Sequence, residues 1–359
     1  MIKQLLSLFL CALMGCQPDA DADLVPDEYQ CQAIAIQQTV SRNELLNLFE
    51  EDILQGVASI DIPDNAGAMG RNKSGYFHVR FQMGIAAQAD YAVYSQSTQS
   101  LAYAIKAMEY AFEYQLADGN FELIIPSDLS GEELNEGDVA SGVSFFLSSV
   151  GLAVNTLEQS SWYHAASNSV YKSKVENLRP QIEKAANWLL TKKEVLKTAD
   201  QHAPNRLLFN ALSFYSLGLW LNKTDLKSAG ISFAHLAMAQ KHPTGYFIEA
   251  EGWDSSYQGV AINVGFNLYS LLPATETLKV DLWNSLSCAA DWQKSRVLEN
   301  GEISLEGNTR VYPGGEAFLG TEKQIDWIDT MMGFFMMGYY AESAVYEAKA
   351  RAIKDYYYP

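Results

Sequence analysis

Residues 139–154 read VASGVSFFLSSVGLAV, and this stretch decides the fold class. Its apolar side chains recur at every third or fourth position, at Val139, Val143, Phe146, Val150 and Val154. This is the spacing of one face of an α-helix, whereas a half-buried strand alternates apolar and polar residues. We therefore predict an amphipathic helix here.

The same spacing predicts further helices within residues 101–116, 182–189, 208–219, 260–271 and 327–340. In the last segment the apolar residues come in pairs at every fourth position, from Trp327 and Ile328 to Tyr339 and Tyr340. Paired stripes indicate a helix that is buried on more than one side. We interpret its methionine and aromatic side chains as core rather than as a cofactor site.

Turn-forming residues mark loops between these helices, at residues 118–120, 242–245, 299–302 and 312–315. Short alternating stretches at 246–248 and 302–305 predict small β-hairpins within the loops. No strand–helix–strand alternation and no central Pro/Ser-rich linker are found. We predict an all-α fold with a single domain over residues 31–359, an (α/α) barrel or toroid of helical hairpins. An open solenoid is the alternative, although the sequence has no fixed-period repeat.

The composition excludes several classes of protein. The chain has 359 residues, 48% of them hydrophobic, and is therefore neither disordered, collagen-like nor a disulfide-stapled small protein. Its 25 Lys and Arg stand against 43 Asp and Glu, a formal net charge of −18. Binding to nucleic acid through overall charge is disfavoured, so we expect no nucleic-acid partner.

The N-terminus carries Lys3, an apolar run over residues 5–14 and the sequence Leu13-Met14-Gly15-Cys16. It resembles a bacterial lipoprotein signal peptide with its lipobox. The resemblance implies removal of residues 1–15 and acylation of Cys16, which would anchor an outer-membrane lipoprotein facing the periplasm or the cell surface. Residues 16–30 would then form an acidic tether. An ordinary secretory signal with an incidental cysteine is the alternative.

Two cysteines, Cys31 and Cys288, remain in the predicted mature body. In an oxidising compartment they either pair or stay as two buried thiols, and the sequence leaves both outcomes open. The five histidines form no His-Glu-x-x-His signature, and two distant cysteines cannot build a metal site. We expect no metal and no cofactor.

Two segments concentrate basic residues in this acidic chain. Residues 70–80 contain Arg71, Lys73, His78 and Arg80, and a solvated loop is the alternative interpretation. In residues 200–206, Pro204 places Asn205 and Arg206 in the first turn of a predicted helix, where the helix dipole favours an anion such as a carboxylate. The alternative is that Asn205 caps the helix and Arg206 pairs with a surface acid.

Two glycine-rich segments combine aromatic and charged residues. Residues 245–259 carry Trp253 beside carboxylates and Tyr257 and lead directly into an apolar helix. An aromatic ring among polar groups is typical of a sugar-stacking subsite, although Asp254 or Ser255 could simply cap the helix. Residues 306–316 contain Arg310, whose planar guanidinium suits a carboxylate, while a surface charge is the alternative.

Three pieces of sequence together resemble the (α/α)-barrel polysaccharide lyases: Asn205-Arg206, GWDSSYQ at 252–258 and GNTR at 307–310. The resemblance is to the type that cleaves alginate and glucuronan, including lyase family 38. It implies an anionic polysaccharide or oligosaccharide substrate and β-elimination at a uronic acid. Such an enzyme neutralises the C6 carboxylate, removes the C5 proton with Tyr or His, and protonates the leaving O4.

The resemblance also implies roles for individual residues. Asn205, assisted by Arg206 or Arg310, would stabilise charge on the carboxylate. Tyr257, with a pKa lowered by nearby cations, would act as base and then as acid, and His202 is the second candidate base. The substrate-binding candidates are Trp253, Asp254, Gln258, Arg310, Arg80, His78 and Glu251. We expect a monomer.

Two other functions compete with this one. An (α/α) glycoside hydrolase would use a carboxylate pair such as Glu251 and Asp254, or either of them with Glu316. A non-catalytic outer-membrane glycan-binding lipoprotein would need aromatic stacking without an acid–base set.

Overall fold

The structure is a computed structural model that describes residues 30–129 and 134–358. The predicted signal peptide, the acylated Cys16 and the tether up to residue 29 lie outside the described residues and stay predictions. Short helices near the start are α1 (Arg42–Leu46) and α2 (Glu51–Ile60). The helices that follow are α3 (Ile85–Ser95), α4 (Thr98–Glu113), α5 (Glu136–Glu158), α6 (Ser169–Thr191), α7 (Lys193–Ala199), α8 (Pro204–Trp220), α9 (Thr224–Met238), α10 (Ser255–Leu271), α11 (Thr277–Ser295), α12 (Trp327–Ala341) and α13 (Ala344–Tyr357).

The predicted all-α class is confirmed, and the helices form a double ring. Five inner helices, α3, α5, α8, α10 and α12, pack side by side in chain order. Each is followed by outer helices that pack against it: α4, then α6 with α7, then α9, α11 and α13. Because inner and outer helices alternate as antiparallel hairpins, the inner helices run in one direction, and their N-termini gather at one end of the ring.

The inner helices carry the core. α5 is buried along nearly its whole length, with Phe146, Leu147 and Val150 inaccessible to solvent. It is also the one described helix long and apolar enough to cross a membrane, yet 89% of that window is buried inside the protein. The paired stripe of α12 is core as predicted, since Phe334, Phe335 and Tyr340 are buried.

The beginning of the described chain closes the ring. Cys31 and Cys288 form a disulfide, which resolves the alternative that the sequence left open. The Trp283 indole donates to the Ile34 carbonyl at 2.7 Å, and the Gln37 N–H donates to the Tyr340 carbonyl at 2.9 Å. Residues 30–41, here called the N-terminal strap, therefore lie against α11 and α12. Ion pairs then join α13 to the start of α2, where Arg351 meets Glu50 at 2.7 Å. The ends of the helical array therefore meet, and the array is a ring rather than an open solenoid.

Small β elements occur in the loops at the end of the ring where the N-termini of the inner helices lie. The regular strands are β1 (Ala317–Phe318) and β2 (Thr321–Glu322), an antiparallel pair. The hairpins expected at 246–248 and 302–305 occur as single bridges, Lys241 with Phe247 and Val297 with Ile303. These loops lead into α10 and α12 and so position side chains over the ring.

Candidate active site

Loops that enter the inner helices meet at the N-terminal end of the ring. The Ser256 hydroxyl at the start of α10 accepts from the Asp326 N–H just before α12 at 2.9 Å. Arg206 in α8 lies 3.8 Å from Asp138 in α5. The side chains gathered here come from five loops and helix starts: His78, Arg80, Asp138, Asp200, Asn205, Arg206, Glu249, Tyr257, Arg310, Glu316 and Lys323.

Arg310 lies in the middle of this group and pairs with two carboxylates. Its Nε donates to Glu316 Oε2 at 2.8 Å and its Nη1 to Glu249 Oε2 at 2.9 Å. Its guanidinium carbon lies 4.2 Å from the centre of the Tyr257 ring. Two carboxylates therefore compensate the charge of Arg310, which orients its neighbours rather than offering an unpaired cation to a ligand.

Tyr257 is held as a proton donor. Its hydroxyl donates to Glu316 Oε2 at 3.1 Å. Burial raises the pKa of Tyr257 above its ordinary value, and Glu316 raises it further, although Arg310 acts in the opposite direction. The prediction that nearby cations lower this pKa is therefore wrong, because loss of water and the adjacent carboxylate outweigh the guanidinium.

The two carboxylates on Arg310 differ in environment. Glu249 is 1% exposed, and burial raises its pKa to about 7 even though Arg310 and the Asn205 backbone N–H act to lower it. Burial acts to raise the pKa of Glu316 as well, but Arg310, Lys323 and the Tyr257 hydroxyl outweigh it and lower that pKa. One carboxyl group therefore holds a proton more tightly than the other.

Arg206 is also neutralised by acids. Its Nη1 lies 3.5 Å from Asp200, which is fully buried and accepts hydrogen bonds from Ser141 at 2.9 Å and Asn210 at 2.8 Å. Burial raises the pKa of Asp200, while Arg206 and these donors lower it. The predicted helix start is confirmed, since α8 begins at Pro204. The alternative interpretation is right only in part: Arg206 pairs with acids, but Asn205 lies inside α8 without capping it, and Asp200 is buried rather than on the surface.

Arg80 and Lys323 differ from the other cations of the site. The Arg80 guanidinium lies between two rings, 4.4 Å from the centre of Phe318 and 4.8 Å from that of Phe145. The Lys323 Nζ lies 5.4 Å from the same Phe318 ring. Within residues 30–129 and 134–358, neither cationic group has an ion pair or a hydrogen bond. The site therefore presents two half-buried basic groups that have no anionic partner within hydrogen-bond or ion-pair distance among the described residues.

Burial and crowding weaken proton binding at both groups. Burial, then Arg206, lowers the pKa of Arg80 to about 10. Burial, then Arg80, lowers the pKa of Lys323 to about 7, although Glu316 opposes the change. A bound anion would relieve this repulsion, because it would supply the opposite charge that the site lacks.

His78 and Asn205 are buried residues of the site. His78 is buried, its Nδ1 accepts from the Arg80 backbone N–H at 3.3 Å, and burial lowers its pKa to about 3. It is therefore a neutral support for Arg80. Asn205 is 4% exposed, and its Oδ1 has no hydrogen-bond partner among the described residues.

Asp254 and Gln258 hold the backbone of the site. Asp254 is fully buried, and its Oδ1 accepts the N–H groups of Ser256 and Tyr257, each at 3.1 Å. Its Oδ2 accepts the N–H groups of Arg310 at 3.0 Å and Val311 at 2.7 Å. The capping interpretation of Asp254 is thus the observed one, and the same carboxylate ties α10 to the Arg310 loop. Gln258 Oε1 accepts the Phe247 N–H at 2.9 Å.

Two predicted residues lie apart from Tyr257. His202 is exposed in the turn before α8, and no described contact joins it to the group. Glu251 is exposed in a tight turn where Ala250 and Glu251 adopt φ of 47° and 70°. The structure therefore does not bring either side chain to the hydroxyl.

Trp253 belongs to an aromatic cluster beside the site. Its ring centre lies 5.8 Å from that of Tyr246 and 6.2 Å from that of Trp292. All three rings are half-buried, so their outer parts reach solvent. Such a surface can stack against the C–H face of a sugar ring.

Glu249 and Lys323 were not among the residues predicted from sequence. Glu249 lies in the segment 245–259 together with Glu251 and Asp254, and nothing in the sequence distinguishes it from these two acidic neighbours. Lys323 has no local signal, but it lies in a loop that enters an inner helix, and this position marks the site once the ring is known.

Comparisons with known proteins add little to this geometry. No protein family model matches the chain, and no curated protein matches it. A crystal structure of a mutant unsaturated glucuronyl hydrolase from Streptococcus agalactiae, complexed with dGlcA-GalNAc6S, matches with a TM-score of 0.40 and 8% sequence identity. The match covers 89% of this chain and 100% of that one. A likeness this weak assigns neither family nor activity.

Proposed function

We propose that this protein is a polysaccharide lyase that cleaves a uronate-containing glycan, such as alginate or glucuronan, by β-elimination. The observation that carries the proposal is the presence of a proton-donating tyrosine, Tyr257, in the same site as a guanidinium without an anionic partner, Arg80. A uronate carries the carboxylate that Arg80 lacks, and its glycosidic oxygen needs a proton when it leaves.

Arg80 is the residue best suited to receive the substrate carboxylate. Arg206 and Arg310 are already paired with acids, whereas Arg80 is held in place by two phenyl rings and by His78. In β-elimination negative charge moves onto this carboxylate as the C5 proton leaves. A cation fixed in a partly dry site stabilises that charge without reorganising.

Tyr257 supplies the proton to the leaving O4. Its raised pKa keeps the hydroxyl protonated at neutral pH, and Glu316 fixes the direction of the O–H bond. The cluster of Tyr246, Trp253 and Trp292 offers a stacking surface for a neighbouring sugar ring.

A glycoside hydrolase is the second candidate function. Its carboxylate pair would not be the expected Glu251 and Asp254. Asp254 uses both oxygens to hold backbone N–H groups, and Glu251 is exposed. Glu249 and Glu316, however, share Arg310 and have pKa values displaced in opposite directions. An acid and a base with separated pKa values are what hydrolysis requires.

A small panel of polyuronates tests the proposal. We expect the protein to generate products that absorb in the near ultraviolet, because β-elimination leaves a C4=C5 double bond. Tyr257→Phe should reduce turnover roughly 10²-fold or more, since it removes a general acid. The matched control is Tyr312→Phe, which alters a tyrosine that is 44% exposed.

The other outcomes separate the alternatives. New reducing ends without an absorbance increase would indicate the hydrolase. Binding without turnover would indicate a glycan-binding protein. Full turnover by Tyr257→Phe, with absorbance still rising, would leave the lyase in place and remove Tyr257 from its mechanism.

A further inference from the structure

The proposed elimination lacks an obvious base. Tyr257 is protonated and donates to Glu316, so it does not begin as a proton acceptor. His202 is exposed in its turn, and no hydrogen bond or ion pair joins it to the described residues of the site. His78 is buried, and its Nδ1 already accepts the Arg80 N–H. Glu249 and Glu316 are both bound to Arg310, so another group is needed to take the C5 proton.

We propose that Lys323 is this base: its amine shares the Phe318 ring with Arg80 and lies across the hairpin from Glu316, the partner of the Tyr257 hydroxyl. The inference rests on the proposed function, since it assigns a step of that reaction. It concerns a residue that neither the sequence nor the lyase resemblance pointed to.

The β1–β2 hairpin fixes the position of Lys323. Its backbone N–H donates to the Glu316 carbonyl at 2.8 Å, so the two residues flank the hairpin as neighbours. The turn is held from outside by Arg71, which donates to the carbonyls of Phe318 at 2.9 Å and Leu319 at 2.5 Å. The amine is therefore carried by an anchored hairpin rather than by a free loop.

Phe318 and Glu316 connect the amine, the guanidinium and the phenol. Arg80 and Lys323 lie 4.4 Å and 5.4 Å from the centre of the Phe318 ring. Glu316 adjoins Lys323 through the backbone and accepts the Tyr257 hydroxyl through its side chain. A uronate whose carboxylate meets Arg80 would thus have an amine and a phenol beside it.

The charges facing Lys323 favour its neutral form. They come from the segment before α3, from α8 and from the loop before α12: the cations Arg80, Arg206 and Arg310, and the anions Glu316 and Asp326. The cations and burial together outweigh the anions and lower the pKa of Lys323 to about 7. A base whose pKa lies near the working pH is present in its active form and still holds the proton that it receives.

The step balances without any further reactant. The C5–H bond breaks and its proton goes to the Lys323 Nζ, which becomes an ammonium. The electron pair forms the C4=C5 double bond as the C4–O4 bond breaks, and O4 takes the proton of the Tyr257 hydroxyl. Solvent then carries a proton from the ammonium back to the phenolate, which restores both groups.

Substitution of Lys323 tests the assignment on the polyuronate panel. Lys323→Arg keeps a long basic side chain that stays charged and so cannot act as a base near neutral pH, and we expect kcat to fall roughly 10²-fold with KM changed only a few-fold. In Lys323→Ala, added ethylamine should restore part of the lost kcat. The matched control is Lys174→Arg on α6, where the lysine is exposed and pairs with Glu109. Thermal unfolding of each variant checks that it is folded.

A second measurement does not depend on turnover. Trace acetylation of the intact protein across pH 5–11, followed by peptide mass spectrometry, gives the pH at which each lysine becomes reactive. We expect Lys323 to become reactive near pH 7, well below ordinary lysines at about 10.4. Reactivity of Lys323 only in the ordinary range would overturn the assignment.

The outcomes distinguish the two proposals. If the wild type forms unsaturated product and Lys323→Arg keeps most of its kcat, Lys323 is not the base and the lyase proposal stands. If the wild type forms no unsaturated product from any polyuronate, the proposed function fails and the base assignment fails with it.

Discussion

The fold buries the Glu249 carboxyl group away from water, and its ion pair with Arg310 only partly compensates the cost of burying a charge there. It is 1% exposed and receives Arg310 at 2.9 Å, yet burial still raises its pKa from 4.5 to about 7. Between these two pH values the folded chain holds a proton that the unfolded chain releases. Its contribution to stability is therefore full below pH 4.5 and is lost as the pH rises through 7.

Glu249→Gln isolates this contribution. The free energy of unfolding of the wild type minus that of the variant should fall by about 3 kcal/mol as the pH rises from 4.5 to 7.5. Urea unfolding at several pH values measures the difference. Glu299→Gln, at an exposed residue, is the control. A difference that stays constant with pH for Glu249→Gln would contradict the prediction.

At the level of residues, the sequence predicted which side chains meet but not how their charges are compensated. Arg206, Tyr257 and Arg310 do meet at one end of the ring. That Arg310 is neutralised depends on Glu249, a residue 61 positions away, and on Glu316 in its own loop. Pairing over such a separation leaves no local pattern, and the loss of water that raises the pKa of Tyr257 leaves none either.

The start of α10 shows how one helix terminus organises a site. Asp254 caps α10 through its Oδ1, and its Oδ2 receives two N–H groups of the Arg310 loop. Glycine at position 307 lets this loop approach, since a side chain there would collide with the Trp253 indole. Tyr257 and Arg310 therefore share a single rigid support.

Asp254→Ala should destabilise the protein and disable the site together. Loss of the cap costs about 1 kcal/mol and the buried N–H groups left without acceptors cost about 1–3 kcal/mol more. The control is Ser97→Ala, which removes the cap of α4, because the Ser97 hydroxyl accepts the Ser100 N–H at 3.2 Å. It should lower the free energy of unfolding by only about 1 kcal/mol and leave activity unchanged. Urea unfolding and product formation measure both effects, and equal losses in the two variants would refute this account.

At the level of elements, strongly periodic segments were predicted well and irregular ones were not. The segments at 139–154 and 327–340 fall within α5 and α12. The segment at 101–116 overruns α4, which ends at Glu113, so Leu116 lies in the following turn and is exposed. The β1–β2 hairpin was not predicted, because strands of two residues are too short to show an alternation. This hairpin carries Lys323, so the least predictable element holds the proposed base.

The whole molecule depends on closure of its ring. The Cys31–Cys288 disulfide joins positions 257 residues apart and fastens the N-terminal strap to α11. Beyond the strap, Arg42 is buried at 2% exposure and donates to Thr156 at 2.7 Å and Asn267 at 2.8 Å, which lie on α5 and α10. The start of the chain is thus bound to the second half of the fold.

Loss of the disulfide should destabilise the protein by about 4 kcal/mol, since a cross-link over a long loop restricts the unfolded chain strongly. Thermal unfolding with and without reductant measures the effect on the wild type. The control is the double variant Cys31→Ser, Cys288→Ser, whose unfolding should not respond to reductant. A wild type that unfolds at the same temperature in both conditions would show that the link contributes nothing.

The gathering of inner-helix N-termini has a consequence for folding. The residues of the site come from 78–80, 138, 200–206, 249–257 and 310–323. No single helical hairpin therefore contains the site. A chain that has formed all its helical hairpins, but whose last hairpin (α12 and α13) has not yet packed against α2, still holds the side chains of the site apart from one another. Recovery of activity after dilution from denaturant would therefore time the last association of the ring, and would lag behind recovery of helix content.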